Sequence, residues 1–250
     1  MNILVVLLGF FSFASSHEYA MLAGGDANQY HLADKARSCH RLWIPPSAPS
    51  GACREPVYEA NLYMDTVLGV ILPLEVGKAN LSLAPLPGFT VKHRTGDFRV
   101  QFESGILQGL ASFIERRGDC EATRWEADAL TMRCGLDLDG LRLAFQGNAR
   151  GRDLTAEREV ALGLVLRNSS ASLTHTEKKG GHVHAECDLG DLNLVLVYST
   201  DLHLKDVSKP VYDQQLVSTA RSILKHFLLS HFIPNVLTVA LSKIHLPIPQ

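Results

Sequence analysis

Apolar positions recur along this chain in two rhythms, and the change from one to the other marks out its elements. Val57, Ala60, Met64, Val67, Leu68 and Ile71 fall three or four residues apart. That is the period of a helix with one apolar face, and Pro56 suits its first turn. Pro73 is expected to stop or kink this helix, and Ala84-Pro85-Leu86-Pro87-Gly88 reads as a rigid extended loop. From Phe98 onward the period becomes two. Leu130, Met132, Cys134, Leu136 and Leu138 alternate with polar or small residues, so one face is buried and the other wet. Asp139-Gly140 is a hairpin signal, and Leu141, Leu143 and Phe145 continue the alternation beyond it. Further inward rows are Val160 to Leu166, Val183 to Leu189 after a turn at Lys178 to Gly181, and Leu192 to Tyr198. From Pro210 to Ile244 the spacing is helical again, with Leu216, Ala220, Ile223, Phe227, Phe232, Val236, Ala240 and Ile244 on one stripe. Pro234 is expected to bend that helix.

Helix, antiparallel meander and longer helix together predict an α+β fold, with helices packed on one face of a long twisted antiparallel sheet. A membrane anchor competes for Ile223 to Leu246. Lys225, His226, His231 and Lys243 interrupt that stretch, and charge near a bilayer centre is costly, which favours a buried helix.

The amino terminus changes the picture. Ile3 to Phe13 is apolar but too short to cross a bilayer core of about 30 Å as a helix. Ala14-Ser15-Ser16 follows, a small-residue pattern that predicts signal cleavage before His17 and hence secretion. Residues 1–16 are thus a signal peptide, 17–54 an irregular Pro/Ser/Gly-rich arm, and 55–250 a single domain. Asn80-Leu81-Ser82 and Asn168-Ser169-Ser170 are glycosylation sequons at Asn80 and Asn168. Five cysteines in an oxidising compartment predict two bridges and one thiol. The expected pairs are Cys39–Cys53, closing the arm, and Cys120–Cys134, which flank a hairpin bend at Arg124 to Asp128. Cys187 is left over, with Cys134–Cys187 as the rival pairing. A formal net charge of −2 excludes a broadly basic, nucleic-acid-type surface.

The segment FRVQFESGILQGLASFIERRGDCEATRWEADALTMRCGLDLDGLRLAFQGNARG, Phe98 to Gly151, resembles the group 7 mite allergens. More broadly it is similar to the tubular lipid-binding superfamily of bactericidal permeability-increasing protein. The likeness rests on Gly109-Leu110 leading to Arg117-Gly118-Asp119 and two amphipathic strands. An amphipathic helix before and a long one after extend it over Pro56 to Ile244. The Cys39 and Cys53 pair looks more like the takeout and juvenile-hormone-binding branch. The resemblance implies a curved sheet wrapped around a long helix, with a lipid or other hydrophobic small molecule held between them. Its wall would include Leu130, Met132 and Leu136, then Leu143, Phe145 and Leu164 on the sheet, and Ile223, Phe227 and Val236 on the helix. The same residues would equally fill a closed core, the layout of a secreted protein-binding immune or host-interaction factor.

No nucleophile elbow, phosphate-binding loop or zinc-protease motif is present, and the cysteine spacing matches no zinc site. The sequence predicts no enzyme activity, no cofactor and no metal. His175, His182 and His184 invite a metal reading, but His182 and His184 share the polar face of a strand and read more plainly as solvent-exposed. Glu115, Arg116 and Arg117 form a charged cluster, either a solvated strand end or a contact for an anionic headgroup. Transient contact with a membrane surface or a protein stays open, and the oligomeric state is not legible.

Overall fold

The first expected helix forms but does not end where proline should end it. In the computed structural model, which describes residues 55–92, 98–151, 157–200, 202 and 209–249, α1 (Glu55–Thr66) passes into a π-helical segment, π1 (Val67–Ile71), and then into α2 (Leu72–Lys78). Pro73 lies in the first turn of α2, where an N–H has no partner to lose. The wider turns of π1 therefore let the chain continue past it. The same device recurs at the other end. Helix α3 (Lys209–Phe227) runs through π2 (Leu228–Leu237), which contains Pro234, into α4 (Thr238–Leu241). All these residues belong to one compact unit, Cys53–Gln250. The signal peptide, the arm and the Cys39–Cys53 pair lie outside the described residues.

Among the described residues, ten antiparallel strands separate the helices: β1 (Leu83–Lys92), β2 (Phe98–Gln108), β3 (Glu115–Arg117), β4 (Arg124–Glu126), β5 (Ala129–Asp137), β6 (Arg142–Gly151), β7 (Arg158–Leu166), β8 (Ser170–Lys178), β9 (Val183–Leu189) and β10 (Leu194–Ser199). They hydrogen-bond as two five-stranded halves, one in the order β1-β2-β6-β7-β10, the other β3-β5-β8-β9 with β4 also on β5. The expected proline loop at residues 84–88 is instead the start of β1. Pro85 and Pro87 share one phase of the pleat, and β1 is an edge strand, so their missing N–H groups cost the ladder nothing. Ala84 and Leu86 take the buried phase between them.

Asp139-Gly140 is a corner rather than a hairpin, because β5 and β6 lie in different halves. Asp137 faces Ser170 before it and Arg142 faces Val165 after it, so one register carries through, with four residues of each strand turning the corner. The next pairing behaves alike: Ala171 faces Leu189 and Leu166 faces Leu194. Three long strands thus run through both halves. Each changes phase at the corner. Inward residues are even-numbered in β5 and odd in β6, even in β7 and odd in β8, odd in β9 and even in β10. This common slip keeps the same face inward on both sides.

A slipped ladder leaves backbone groups to be satisfied, and side chains satisfy them. The Asp137 carboxylate accepts from the Asp139 N–H at 2.9 Å, and the Asp139 carboxylate from the Ser169 N–H at 2.8 Å. The Ser169 hydroxyl accepts from the Asn193 N–H at 2.9 Å and donates to the Arg167 carbonyl at 3.1 Å. Backbone N–H donors, Ser169 first and Asn168 next, hold the Asp139 carboxyl below the usual carboxylate range, with Arg167 and Arg117 adding to the effect. Apolar Leu138, Leu141, Leu166 and Leu192 pack beneath. Phe113 covers the outside, where a β-carbon at Gly140 would fall 2.7 Å from its ring. Replacing Ser169, which is buried, by Ala strands the Asn193 N–H. Denaturant unfolding should show a loss of about 1–3 kcal/mol, against at most about 0.5 kcal/mol for the exposed control Ser172→Ala. Equal effects would contradict this account of the corner.

Candidate functional site

The helices close the two halves by meeting their outer strands. In the first half α3 touches both β1 and β10, the two edges of that sheet. In the second, α1 and π1 touch β3 at one edge, while π2 and α4 touch β9 at the other. The helices also pack on each other, α2 against π2 and α4, and α4 against π1. Each sheet therefore curls so that both its edges reach helix. The inward faces of its central strands pack under the helices, and one continuous cluster of buried side chains runs through both halves.

Aromatic rings fill the first half. Phe89 stacks on Phe102 at 4.7 Å between centroids and meets Phe145 edge-on at 5.0 Å. Gly105 makes room for this, since a β-carbon there would lie 2.3 Å from the Phe145 ring. Leu143, Leu162 and Leu164 complete the sheet side, and Leu216, Ala220 and Leu224 the helix side. The structure thus brings Leu143, Phe145 and Leu164 together in the first half. It places Leu130, Met132 and Leu136 on the inward face of the second, and Phe227 and Val236 on the buried stripe of the C-terminal helix. Ile223 is only half-buried, and its neighbour Leu224 takes the core position. The chain from Lys209 to Leu241 is long and apolar enough to cross a membrane, but its stripe is packed on β1, β9 and β10.

A polar pair that the sequence reading missed sits in the second half. His175 on β8 is fully buried, not solvent-exposed like His182 and His184. Its Nδ1 lies 3.1 Å from the Tyr63 hydroxyl, which lies 3.0 Å from the Leu241 carbonyl oxygen. A carbonyl only accepts, so the hydroxyl donates to Leu241 and the His175 Nδ1–H donates to the hydroxyl. The pair ties α1, β8 and α4 together. Nε2 is left as a buried acceptor without a hydrogen-bond partner. Burial pushes the His175 imidazole down to about 4, against a smaller upward pull from Glu177. It also raises the Tyr63 phenol. On the same strand, the Glu177 carboxylate accepts from the Leu246 N–H at 2.9 Å and pairs with His245. It thereby pins the segment after α4.

Cys120 and Cys134 are bridged, with their Cα atoms 4.3 Å apart, and Cys187 is a free, half-buried thiol pushed up to about 11 by burial and by Asp188. The hairpin between them forms as expected, with Trp125 facing Leu130. Arg116 is committed to structure: its guanidinium grips both Asp65 oxygens, at 2.8 and 2.9 Å, and so joins β3 to α1. Arg117 stays exposed. Asn80 and Asn168 both sit exposed in left-handed backbone turns. A polar concavity of about 160 Å³ on the outer face contains Arg99, Gln101, Glu103, Asn148, Arg150 and Glu157. Its groups largely satisfy one another, with Arg150 on Glu157 at 2.7 Å. Among the described residues, no three His, Cys, Asp or Glu side chains are placed to hold a metal.

No family model matches the chain. Salivary anticoagulant protein P23 of Ixodes scapularis is 21% identical over 202 residues, 76% of this chain and 90% of that protein. Among solved structures, Takeout 1 of Epiphyas postvittana matches 72% of this chain and 91% of its own at 15% identity and a TM-score of 0.39. Lipopolysaccharide binding protein matches 75% of this chain and 37% of its own at 14% identity and a TM-score of 0.35.

The depressed His175 value fixes a pH dependence. The unfolded imidazole titrates near 6.5 and the folded one near 4, so the unfolded state takes up the proton first as pH falls. The stability is fully present above pH 6.5 and drains away between pH 6.5 and 4, by on the order of 3 kcal/mol. Denaturant melts across this range should show a steeper decline for the wild type than for His175→Phe. Parallel pH profiles would contradict the buried, neutral imidazole.

Proposed function

We propose that this chain is an extracellular, non-enzymatic binding protein that holds a lipid or other hydrophobic molecule between sheet and helices. The observation that carries the reading is the closure of both sheet edges on helix, with a continuous apolar interior enclosed behind the central strands. Each methylene moved from water into such an interior gains about 0.8 kcal/mol, so a long acyl or isoprenoid chain binds usefully with few polar contacts. The bridge between Cys120 and Cys134 supports an oxidising compartment. So does the salivary origin in the name of the Ixodes scapularis relative. Transport, sequestration and microbial-lipid recognition are the uses such a carrier serves.

The name of that relative also favours a second reading. A protein called an anticoagulant matches this chain over 90% of its length, which points to a protein partner and a core that stays closed.

One substitution separates the two readings. Leu143 is 1% exposed and lies on the same inward row as Phe145. If ligand lodges there, Leu143→Trp should weaken binding of a fluorescent fatty acid about tenfold or more while the melting temperature holds. In a permanently closed core the larger ring instead costs about 1–3 kcal/mol of stability. Normal fatty-acid binding with a lowered melting temperature would remove the ligand from this half. Wild-type protein that binds no fatty acid, phospholipid, sterol or terpenoid probe would leave the protein-partner reading standing.

A further inference from the structure

Burial across the second half of the sheet is graded. The inward row of β5 is fully buried, with Leu130, Met132, Cys134 and Leu136 all at most 4% exposed. So is that of β8, with Ala171, Leu173 and His175. The inward row of β9, by contrast, is only half-buried at Val183, Ala185 and Cys187. β9 is the edge strand, and π2 and α4 cover it. The interior is therefore less tightly sealed along that edge than under β5 and β8, beside π-helical segments of a kind that recurs at functional sites. The residue that faces His175 from β9 is Ala185, with the smallest side chain of that row. Cys187 lies two residues further along, opposite Leu173.

Two features of His175 need explaining. A fully buried imidazole in an apolar wall is costly unless its polar atoms are matched. One nitrogen is matched by Tyr63; the other, Nε2, has no partner. The tautomer fixed by Tyr63 makes Nε2 a lone-pair acceptor on a neutral ring, and the charged group nearest in influence is the Glu177 carboxylate. An unmatched acceptor in an apolar wall selects for a donor.

Resting on the lipid-carrier reading, we propose that His175 is the polar anchor of the bound molecule. Its Nε2 accepts a hydrogen bond from a hydroxyl group of the ligand, whose apolar body lies along Val183, Ala185 and Cys187 beneath π2 and α4. The ligand class is therefore a neutral, hydroxyl-bearing amphiphile, such as a long-chain alcohol, a sterol or a terpenoid alcohol. A carboxylate gains nothing from this anchor and binds by its chain alone, because it brings only acceptors to a site that already offers a lone pair.

The test uses the full secreted protein and two fluorescent probes, a pyrene-labelled long-chain alcohol and its methyl ether. The ether keeps the chain and the oxygen but loses the donor. The wild type should bind the alcohol about tenfold more tightly than the ether, the effect of one well-placed buried hydrogen bond. His175→Phe should bind both as the wild type binds the ether. A second readout avoids the variant altogether: saturating alcohol should slow alkylation of Cys187 several-fold at pH 8.5, because the chain covers the β9 row. Wild-type protein that binds both probes equally, as it would if only water met Nε2, overturns the anchor and leaves the carrier. A preference that survives in His175→Phe, or Cys187 alkylation unchanged by the alcohol, does the same. Binding of neither probe overturns anchor and carrier together.

Discussion

Every buried backbone N–H and C=O must be paired, and in this protein that constraint bears hardest at the line where three long strands turn from one half of the sheet into the other. An ordinary ladder cannot turn there without exposing polar groups to an apolar interior. The chain solves this by slipping all three strands in phase together and filling the gaps with Asp137, Asp139 and Ser169. Without the slip, one half would turn its leucines to solvent. With it, Leu136 before the corner and Leu143 after it face the same interior.

That shared face is what the helices need. The sheet curls to bring β1 and β10 onto one helix, and β3 and β9 onto helices at either side of the second half. The helices must in turn be long, and both pass a proline to be so. The π segments at Val67–Ile71 and Leu228–Leu237 let them do it. Between these helices the Tyr63 hydroxyl donates to the Leu241 carbonyl oxygen, the tie that fixes the His175 tautomer. Fold and candidate site thus meet in the second half, where buried His175, its Nε2 unmatched, stands in register between Met132 and Ala185.

The inward rows were legible because alternation records burial directly, and residues from Leu130 to Leu196 fell where the pattern put them. The corner was visible too, as the step of three from Leu138 to Leu141 and from Leu189 to Leu192. It was misread because Asp-Gly is chemically the same signal in a hairpin and in a bend. β1 was hidden by Pro85 and Pro87, which deny a central strand but not an edge one. His175 was missed by grouping it with His182 and His184. Yet it continues the row of Ala171 and Leu173, and its phase alone placed it inside. Its bond to Tyr63 was beyond reach, since 112 residues separate the two and only the packing of α1 on the sheet brings them together. Ile223 lies at the margin of the helix stripe, half-buried against the core beside the fully buried Leu224.

The account stands on the claim that the enclosed apolar interior holds a lipid. Native mass spectrometry of protein secreted from eukaryotic cells, purified without detergent and deglycosylated, tests it most directly. The account expects a population carrying an added mass of a few hundred daltons, which organic extraction removes and identifies as a neutral hydroxylated lipid. Protein that appears only at its bare polypeptide mass, and takes up no lipid when offered a mixture, would contradict it.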